Sequence, residues 1–385
     1  MTNQEQYQIM SKYPNFISYL FDKITCLFIK SKSNKIRNPK KILLLRNDHI
    51  GDLVQNTHIF RELKEAFPKS KITVLATKTN RVVIEKDKYV DEILEGERFW
   101  DKRTFKSFLD YLKVLKKIRK EKFDIGIDLR MSRLNIFFFL FVPKIKSRIS
   151  YYNINGGKAF LTHPTLYDKK INVIYETPKL LKEHLGIKIK NYLPHIMTDK
   201  KDENYVGKFL RKNKLKDYIV LCPASTNECR KWPEKKFAQL INLFHKKYPK
   251  YRIIISSGQG DKALINRLCK NKKFCMPLIN FNLRMLSIIF KKSKVVIGND
   301  GGAASIAWVS GGNLVLLEGP VDLSIHMPFG NFKILQHKLP CYPCNWSKPC
   351  KKPYGKWCMD LITVKEVLRE VDGFMKVKKN SQTSV

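Results

Sequence analysis

A glycine and an aspartate close a short polar turn directly after the apolar run KILLL. The turn extends from Arg46 to Asp52, and Gly51 permits a tight bend with close backbone approach. Asp52 lies where the next helix should begin, so its carboxylate has two possible roles. It can cap the helix by accepting hydrogen bonds from free amides, or it can act as a general base that takes a proton from an attacking hydroxyl.

A cationic segment follows the apolar run YIVLC in the second half of the chain and reads PASTNECRKWP. Its small hydroxyl residues Ser225 and Thr226 precede Arg230 and Lys231. Arginine engages phosphate oxygens in a bidentate manner, and lysine acts as a point charge. The segment could therefore neutralise a diphosphate, and an ordinary cationic loop is the alternative.

Two further loops follow apolar runs and carry small or acidic residues, in the sequences GNDGGAAS and GPVD. Backbone amides at a helix start form an anion site when no side chain blocks them, although a glycine there can also serve packing alone. Three such loops together are stronger evidence for a binding site than any one of them alone. The candidate residues in these two loops are Asp300, Gly301, Gly302, Ser305 and Asp322.

Four cysteines lie within one segment, at Cys341, Cys344, Cys350 and Cys358. Thiolates this close can complete a tetrahedral metal site, for which zinc is the default and iron is possible. Reduced or disulfide-paired cysteines are the alternative. A metal ion bound by four cysteines has no open coordination position for a substrate. We therefore expect a structural or acceptor-side role for this loop.

Short apolar runs alternate with amphipathic stretches, a pattern that indicates parallel sheets covered by helices on both faces. The predicted strands cover residues 41–46, 71–77, 90–94, 123–129, 218–222, 251–256, 294–298 and 313–317. The alternation restarts after a polar stretch near residues 198–204, which predicts two successive doubly wound domains. Ligands of such sheets bind at the carboxyl ends of strands, so a cleft between the domains is the expected site.

The predicted helices cover residues 52–67, 104–122, 234–247, 261–270, 283–292, 300–309 and 363–375. In the second of these helices, apolar side chains recur at helical spacing, and we expect the resulting stripe to face the core. The stripe consists of Phe105, Phe108, Leu109, Leu112, Leu115 and Ile118.

The N-terminal extension, residues 1–40, mixes aromatic with basic residues. Apolar side chains at Phe16, Leu20, Ile24 and Leu27 recur at helical spacing. This pattern predicts either an amphipathic helix on an anionic membrane surface or a helix packed on the first domain.

The composition excludes several classes of protein. The chain has 74 Lys and Arg against 34 Asp and Glu, a formal net charge of +40, yet 43% of its residues are hydrophobic. That is too apolar for a disordered polycation. No apolar run approaches the roughly 20 residues of a membrane-spanning helix, and no secretory signal is evident, so we expect a cytoplasmic protein. The basic residues are spread along the chain, which argues against a nucleic-acid partner.

Taken jointly, these motifs resemble glycosyltransferase family 9, the ADP-heptose:lipopolysaccharide heptosyltransferases. The resemblance runs from about Lys41 to Val371 and rests on KILLLRNDHIGD, PASTNECRKWP, NDGGAAS and GPVD. It implies that Asp52 stands at the position of the family's catalytic base and Arg230 at that of its phosphate-contacting lysine. The chain departs from the family at Gly301, which replaces a threonine, and at Ser305, which replaces a histidine.

The resemblance implies a GT-B fold, in which two doubly wound Rossmann-like domains face each other across a cleft. The acceptor-binding domain would cover residues 41–197 and the nucleotide-sugar domain residues 198–340. The four-cysteine loop, residues 341–360, and a C-terminal helix and tail, residues 361–385, would follow.

The implied activity is inverting transfer of a heptose or related sugar from a nucleotide-diphosphate sugar, with ADP-heptose expected, and without a catalytic cofactor. The implied acceptor is the lipopolysaccharide core on lipid A, which places the protein on the cytoplasmic side of the anionic inner membrane of a Gram-negative bacterium. Two alternatives stay open. One is a protein-modifying heptosyltransferase, since some relatives that glycosylate proteins carry a four-cysteine iron site. The other is a catalytically weakened protein that binds carbohydrate or anionic lipid.

Overall fold

The protein divides into two compact units, with the boundary between Pro194 and His195. The computed structural model describes residues 16–153, 155–168, 170–326, 328–344, 350 and 357–376. Each unit is built on its own six-stranded sheet.

The sheet of the first unit has the strand order β3-β2-β1-β4-β5-β6, and all its pairs are parallel. Its strands are β1 (Lys41–Leu45), β2 (Lys71–Ala76), β3 (Glu92–Glu95), β4 (Ile125–Asp128), β5 (Ser147–Tyr151) and β6 (His163–Thr165). This is the doubly wound order, in which the winding direction reverses between β1 and β4.

The sheet of the second unit has the order β12-β11-β10-β7-β8-β9 and is also parallel throughout. Its strands are β7 (Tyr218–Cys222), β8 (Arg252–Ser257), β9 (Cys275–Ile279), β10 (Val296–Asn299), β11 (Leu314–Glu318) and β12 (Phe332–Gln336). When they are counted from the start of the unit, the order is the same as in the first sheet, and the reversal falls between β7 and β10. The predicted fold class is therefore confirmed.

Helices and short turns connect the strands. The α-helices of the first unit are Phe16–Phe28, Ile50–Gln55, Thr57–Ala66, Arg81–Ile84, Phe99–Lys102, Phe105–Glu121, Arg133–Asn135, Val173–Glu176 and Lys179–Leu185, with a π-helix at Ile136–Phe141 and a 3₁₀ turn at Lys158–Phe160. Those of the second unit are Lys200–Lys212, Glu234–Lys247, Lys262–Cys269, Leu283–Lys292, Gly302–Val309, Leu323–His326, Trp357–Asp360 and Val364–Lys376, with 3₁₀ turns at Glu228–Arg230 and Gln259–Asp261.

The central strands are apolar because both faces of each sheet are covered. Residues Ile42 to Leu45 of β1 are fully buried, and every residue of β7 is buried. The C-terminal helix Val364–Lys376 belongs to the core of the second unit, where Val367 and Val371 are fully buried.

Four strands, β5, β6, β9 and β12, were not predicted. Strands β6, β9 and β12 lie at sheet edges, where pairing on one side only weakens the apolar pattern. β6 contains Pro164 and β9 contains Pro277, and a proline, which lacks an amide donor, usually argues against a strand.

The predicted core stripe of helix Phe105–Glu121 is wrong in its first half. Leu115 and Ile118 are buried, but the side chain of Phe105 is 76% exposed. Phe108, Leu109 and Leu112 are exposed as well. The buried face runs instead through Ser107, Tyr111, Leu115 and Ile118, because Tyr111 packs into the core of the unit together with Leu115 and Ile118.

One face of the N-terminal helix Phe16–Phe28 packs on the first unit. The carboxylate of Asp22 accepts hydrogen bonds from the amides of Gly157, at 2.5 Å, and Lys158, at 3.0 Å. The guanidinium of Arg133 lies 4.1 Å from the centroid of the Phe21 ring. The opposite face leaves apolar side chains exposed, namely Leu20, Ile24, Leu27 and Phe28. Within the described part of the chain, no helix is long and apolar enough to span a membrane.

Candidate functional site

The turn that follows β1 is organised around the buried guanidinium of Arg46. Its Nη1 lies 3.2 Å from Asp48 Oδ2, and its Nη2 lies 3.7 Å from Asp52 Oδ1. Arg46 also donates Nε–H to the carbonyl of Asp52, at 3.1 Å, and Nη1–H to that of Leu129, at 2.6 Å. One cation therefore holds both carboxylates of the turn and ties them to the end of β4.

Asp52 does not cap the helix Ile50–Gln55. The N-cap residue is His49, whose side chain makes no capping hydrogen bond, and Asp52 already lies inside the first helical turn. The side chain of Asp52 is 33% exposed, whereas that of Asp48 is 4% exposed. Asp52 thus presents a carboxylate that a substrate hydroxyl can reach, as general-base chemistry requires. Gly51 precedes it within the same helix.

Two further carboxylates at this edge of the sheet escaped the sequence reasoning. Burial raises the pKa of Asp48 to about 6; the nearby Asp52 raises it further, while Arg46 lowers it. Burial also raises the pKa of Asp128, at the end of β4, to about 7, although hydrogen bonds from Ser132 and Asn135 oppose the shift. For Asp128, the available signal was an aspartate directly after the apolar residues Ile125 to Ile127 in the sequence FDIGIDL.

Three asparagines hold the turn in place. Asn135 donates to Asn47 Oδ1 at 3.0 Å, and Asn47 donates to the carbonyl of Gly96 at 3.3 Å. Asn80 donates to the backbone carbonyls of Arg46, at 3.0 Å, and Asp48, at 3.3 Å. The loops after β1, β2, β3 and β4 are thus cross-linked at the carboxyl edge of the sheet.

In the second unit, two of the predicted segments meet. Arg230 ends the 3₁₀ turn Glu228–Arg230, and its Nη1 lies 2.5 Å from Asp300 Oδ2. Asn299 connects the same loops, since its Oδ1 accepts from the amide of Trp232 at 3.0 Å and its Nδ2 donates to the carbonyl of Pro223 at 2.7 Å. Arg230 follows β7 and Asp300 follows β10, so they meet where the winding of this sheet reverses, the usual ligand position in the fold.

Glycines allow this loop to come close to its neighbour. A Cβ atom on Gly298 would lie 2.8 Å from Cys222 Cβ and 3.0 Å from the Cys222 carbonyl oxygen. Gly301 and Gly302 then open the helix Gly302–Val309, whose first amides have no side chain in front of them. Ser305, the predicted replacement for a histidine, is buried in that helix.

The structure does not bring all predicted residues to this point. Lys231 pairs with Glu228 at 2.5 Å. Ser225 accepts a hydrogen bond from the amide of Asn227 at 3.3 Å, and Thr226 is exposed. Asp322 accepts from the amide of Ser324 at 3.0 Å, so it stabilises the start of a short helix. Arg230 and Asp300 therefore form the centre of the candidate anion site.

A buried glutamate lies beside this pair and was not predicted. Glu318, the last residue of β11, is fully buried, and its Oε1 accepts from the amides of Gly319 and Val321 at 2.8 and 3.3 Å. Its Oε2 makes no hydrogen bond with any described group. Burial raises the pKa of Glu318 to about 8; the charge of Asp300 raises it further, and Arg230 lowers it. Burial therefore favours the neutral, protonated form of Glu318.

The four-cysteine loop packs against the loop after β11. The amide of Cys344 donates to the carbonyl of Pro320 at 3.2 Å, and a Cβ on Gly319 would lie 2.9 Å from Cys358 Sγ. Burial raises the pKa of Cys358 to about 11, and the neighbouring Cys341, Cys344 and Cys350 contribute in the same direction. No described cysteine forms a disulfide bond. No three described His, Cys, Asp or Glu side chains are arranged to hold a metal ion.

Comparisons with known proteins identify the family of the chain and its fold. The family model for glycosyltransferase family 9 (heptosyltransferase) matches residues 111–353. Lipopolysaccharide heptosyltransferase 1 of Campylobacter coli is 21% identical over 285 residues, which cover 70% of this chain and 80% of that protein.

Two solved structures from E. coli share the fold. ADP-heptose lps heptosyltransferase II has a TM-score of 0.71 at 18% identity, with 87% of this chain and 98% of that chain covered. Heptosyltransferase WaaC, solved with ADP-2-deoxy-2-fluoro heptose, has a TM-score of 0.66 at 16% identity, with 86% and 99% covered. The GT-B fold class is thereby confirmed. The chain belongs to glycosyltransferase family 9, the heptosyltransferase family.

Proposed function

We propose that this protein transfers a heptose, or a related sugar, from ADP-heptose to a lipopolysaccharide core acceptor with inversion at the anomeric carbon. The observation that carries the proposal is Asp52, a partly exposed carboxylate that is held by Arg46 and does not cap its helix. Asp52 accepts the proton of the acceptor hydroxyl while that oxygen forms a bond to the anomeric carbon. The bond from that carbon to the diphosphate oxygen breaks, and ADP leaves with the electron pair.

In this scheme, Arg230 and the first amides of helix Gly302–Val309 stabilise the charge that develops on the departing diphosphate. Arg230 is paired with Asp300. A diphosphate would replace Asp300 as the partner of Arg230. Because burial favours the neutral form of Glu318, this side chain would not add a second negative charge that competes for Arg230. The scheme uses no catalytic metal.

The proposed acceptor places the protein at the cytoplasmic face of the inner membrane. Support comes from the net charge of +40, which favours anionic lipid surfaces. The exposed apolar face of helix Phe16–Phe28 gives a second point of attachment, since its opposite face already packs on the first unit. We assign no nucleic-acid partner.

A structural zinc or iron ion at Cys341, Cys344, Cys350 and Cys358 stays a prediction. The other three thiols act electrostatically on Cys358, but no three of the described side chains are arranged as metal ligands. No step of the proposed reaction passes through this loop. Metal analysis of the purified protein and of Cys344→Ser tests the prediction, and an equal metal content of the two would contradict it.

The decisive experiment is a transfer assay with purified protein, ADP-heptose and a heptose-free lipopolysaccharide core. We expect release of ADP and an NMR spectrum of the product with the anomeric configuration opposite to that of the donor. Transfer to a polypeptide but not to the core would replace the proposed acceptor. Failure to bind any nucleotide sugar would leave only a carbohydrate- or lipid-binding protein.

A further inference from the structure

An open pocket lined by aromatic side chains lies in the first unit, between the short helix Phe99–Lys102 and the start of helix Phe105–Glu121. Its volume is ≈ 750 Å³, within the range of small-molecule sites. The side chains that define it include Phe99, Trp100, Phe105, Phe108 and Leu134.

The floor of this pocket is a packed cluster of rings. The ring of Phe99 lies 5.2 Å from that of Trp100, 5.5 Å from that of Phe108 and 5.0 Å from that of Phe138, all edge to face. Trp100 also stacks on Phe138 at 5.3 Å. Mutual contacts of this kind hold aromatic rings in defined orientations, so the floor is formed before any ligand binds.

Several apolar side chains at the rim are exposed to solvent. Phe105 and Leu134 are 76% and 38% exposed, and Phe108 is exposed as well. Along the same helix, Leu109 and Leu112 continue this surface. A contiguous apolar surface of this kind costs free energy in water unless something covers it, and on a folded protein it marks a binding site.

The pocket lies next to the turn that carries Asp52. Gly96, three residues before Phe99, accepts the hydrogen bond from Asn47 described above. Arg98 follows, and its positive charge partly opposes the rise that burial causes in the pKa of Asp48. The pocket and the candidate base therefore occupy neighbouring loops at one edge of the same sheet.

The charge at the rim favours an anion. Asp101 is neutralised by Arg98, whose Nη2 lies 2.6 Å from Asp101 Oδ2. Arg103 is exposed and donates Nε–H to the carbonyl of Trp100 at 3.3 Å, and it pairs with no acidic side chain among the described residues. A guanidinium in this position can take a phosphate or carboxylate.

We propose that this aromatic pocket binds the alkyl chain of an anionic amphiphile whose charged group contacts Arg103. Resting on the proposed function, we assign this amphiphile as the lipid part of the sugar acceptor. An alkyl chain suits a pocket whose walls are aromatic and aliphatic, and an anionic group suits the cation at its edge. Binding energy from a remote lipid chain would hold the acceptor near Asp52.

The test is a calorimetric titration of the full-length protein with dodecyl phosphate, kept below its micelle-forming concentration. We expect one binding site, with affinity roughly a thousandfold weaker for hexyl phosphate, because six fewer methylenes are buried. Phe105→Ser and Leu134→Gln should each weaken dodecyl phosphate binding by about tenfold. Arg103→Gln should reduce the preference for dodecyl phosphate over the uncharged dodecyl maltoside.

A matched control locates the site. Leu243, in the second unit, is 46% exposed, similar to Leu134, and Leu243→Gln should leave the affinity unchanged. All the substituted side chains are exposed, so each variant should keep the wild-type melting temperature. An equal loss in this control, or an affinity that does not depend on chain length, would overturn the pocket assignment.

Failure of this inference is distinguishable from failure of the proposed function. Binding of ADP-heptose and sugar transfer, with no binding of dodecyl phosphate, would overturn the pocket alone. Binding of dodecyl phosphate without any sugar transfer would overturn the proposed function and leave an amphiphile site. Equal KM values for acylated and deacylated core acceptors would overturn the assignment of the amphiphile as acceptor lipid.

Discussion

Arg46 Nη2 lies 3.7 Å from Asp52 Oδ1, and the same guanidinium lies 3.2 Å from the buried Asp48. The cation therefore serves two carboxylates with different surroundings. It compensates the buried charge of Asp48, and it holds the exposed carboxylate of Asp52 in one orientation.

The first prediction concerns the stability that Arg46 provides. Arg46→Gln should lower the free energy of unfolding by about 3 kcal/mol, because it leaves Asp48 buried without its nearest cation. Urea unfolding of the purified variant measures this change. Arg81→Gln is the control, since Arg81 forms exposed ion pairs with Glu85 and Glu95, and its loss should cost below about 1 kcal/mol. If the cause is the uncompensated carboxylate, Arg46→Gln combined with Asp48→Asn should be less destabilised than the sum of the two single variants.

The second prediction concerns catalysis by Asp52. Asp52→Asn should lower kcat by about a hundredfold to ten-thousandfold, because the amide cannot accept the acceptor proton. The affinity for ADP should not change, since Asp52 belongs to the first unit and the nucleotide site is assigned to the second. Steady-state kinetics and calorimetry separate the two effects. Asp110→Asn, an exposed substitution in the same unit, should retain wild-type kcat. A variant at position 52 with full activity would rule out Asp52 as the base.

The third prediction is a pH dependence that arises from Glu318. Its pKa is raised from 4.5 to about 8 in the folded protein. Between these two pH values, the folded chain holds a proton on Glu318 that the unfolded chain has released. The stability due to this proton is fully present below the unfolded pKa and is lost as the pH rises through about 8. Above that pH, the ionised Glu318 adds negative charge beside Asp300 and Arg230, and the affinity for ADP should fall.

Glu318→Gln, which stays neutral, should remove most of both effects. ADP titrations and thermal melts at about pH 7 and about pH 9 measure them. Glu234→Gln, at an exposed glutamate paired with Arg267, should keep the wild-type pH dependence. An unchanged pH profile in Glu318→Gln would show that another group is responsible.

The fourth prediction concerns the N-terminal helix. Replacing its two most exposed apolar side chains, in Leu27→Gln with Phe28→Ser, should weaken binding to phosphatidylglycerol vesicles by about tenfold. Cosedimentation with vesicles measures the bound fraction. Leu243→Gln should bind as the wild-type protein does. Equal binding of the double variant would place the membrane contact elsewhere on the protein.

The sequence predicted the central strands well because they are continuous apolar runs that end in recognisable loops. The runs KILLL and YIVLC became β1 and β7, and the loops that follow them carry Asp52 and Arg230. The edge strands β6 and β9 each contain a proline, and β6 has only three residues, so the local pattern alone could not identify them.

The electrostatics of the site depends on contacts that are distant in sequence. Arg230 pairs with Asp300, and Glu318 owes its raised pKa to burial at the end of β11. The exposed half of helix Phe105–Glu121 was also beyond sequence reasoning, because an apolar stripe has the same spacing whether it faces a core or a ligand.

The two sheets repeat one strand order, and each completes its hydrogen-bonded ladder without strands from the other. Such modularity makes the halves exchangeable in principle. Chimeras that join residues 1–194 of this protein to the C-terminal half of a family member would show which half dictates the choice of sugar nucleotide and which selects the molecule that receives the sugar.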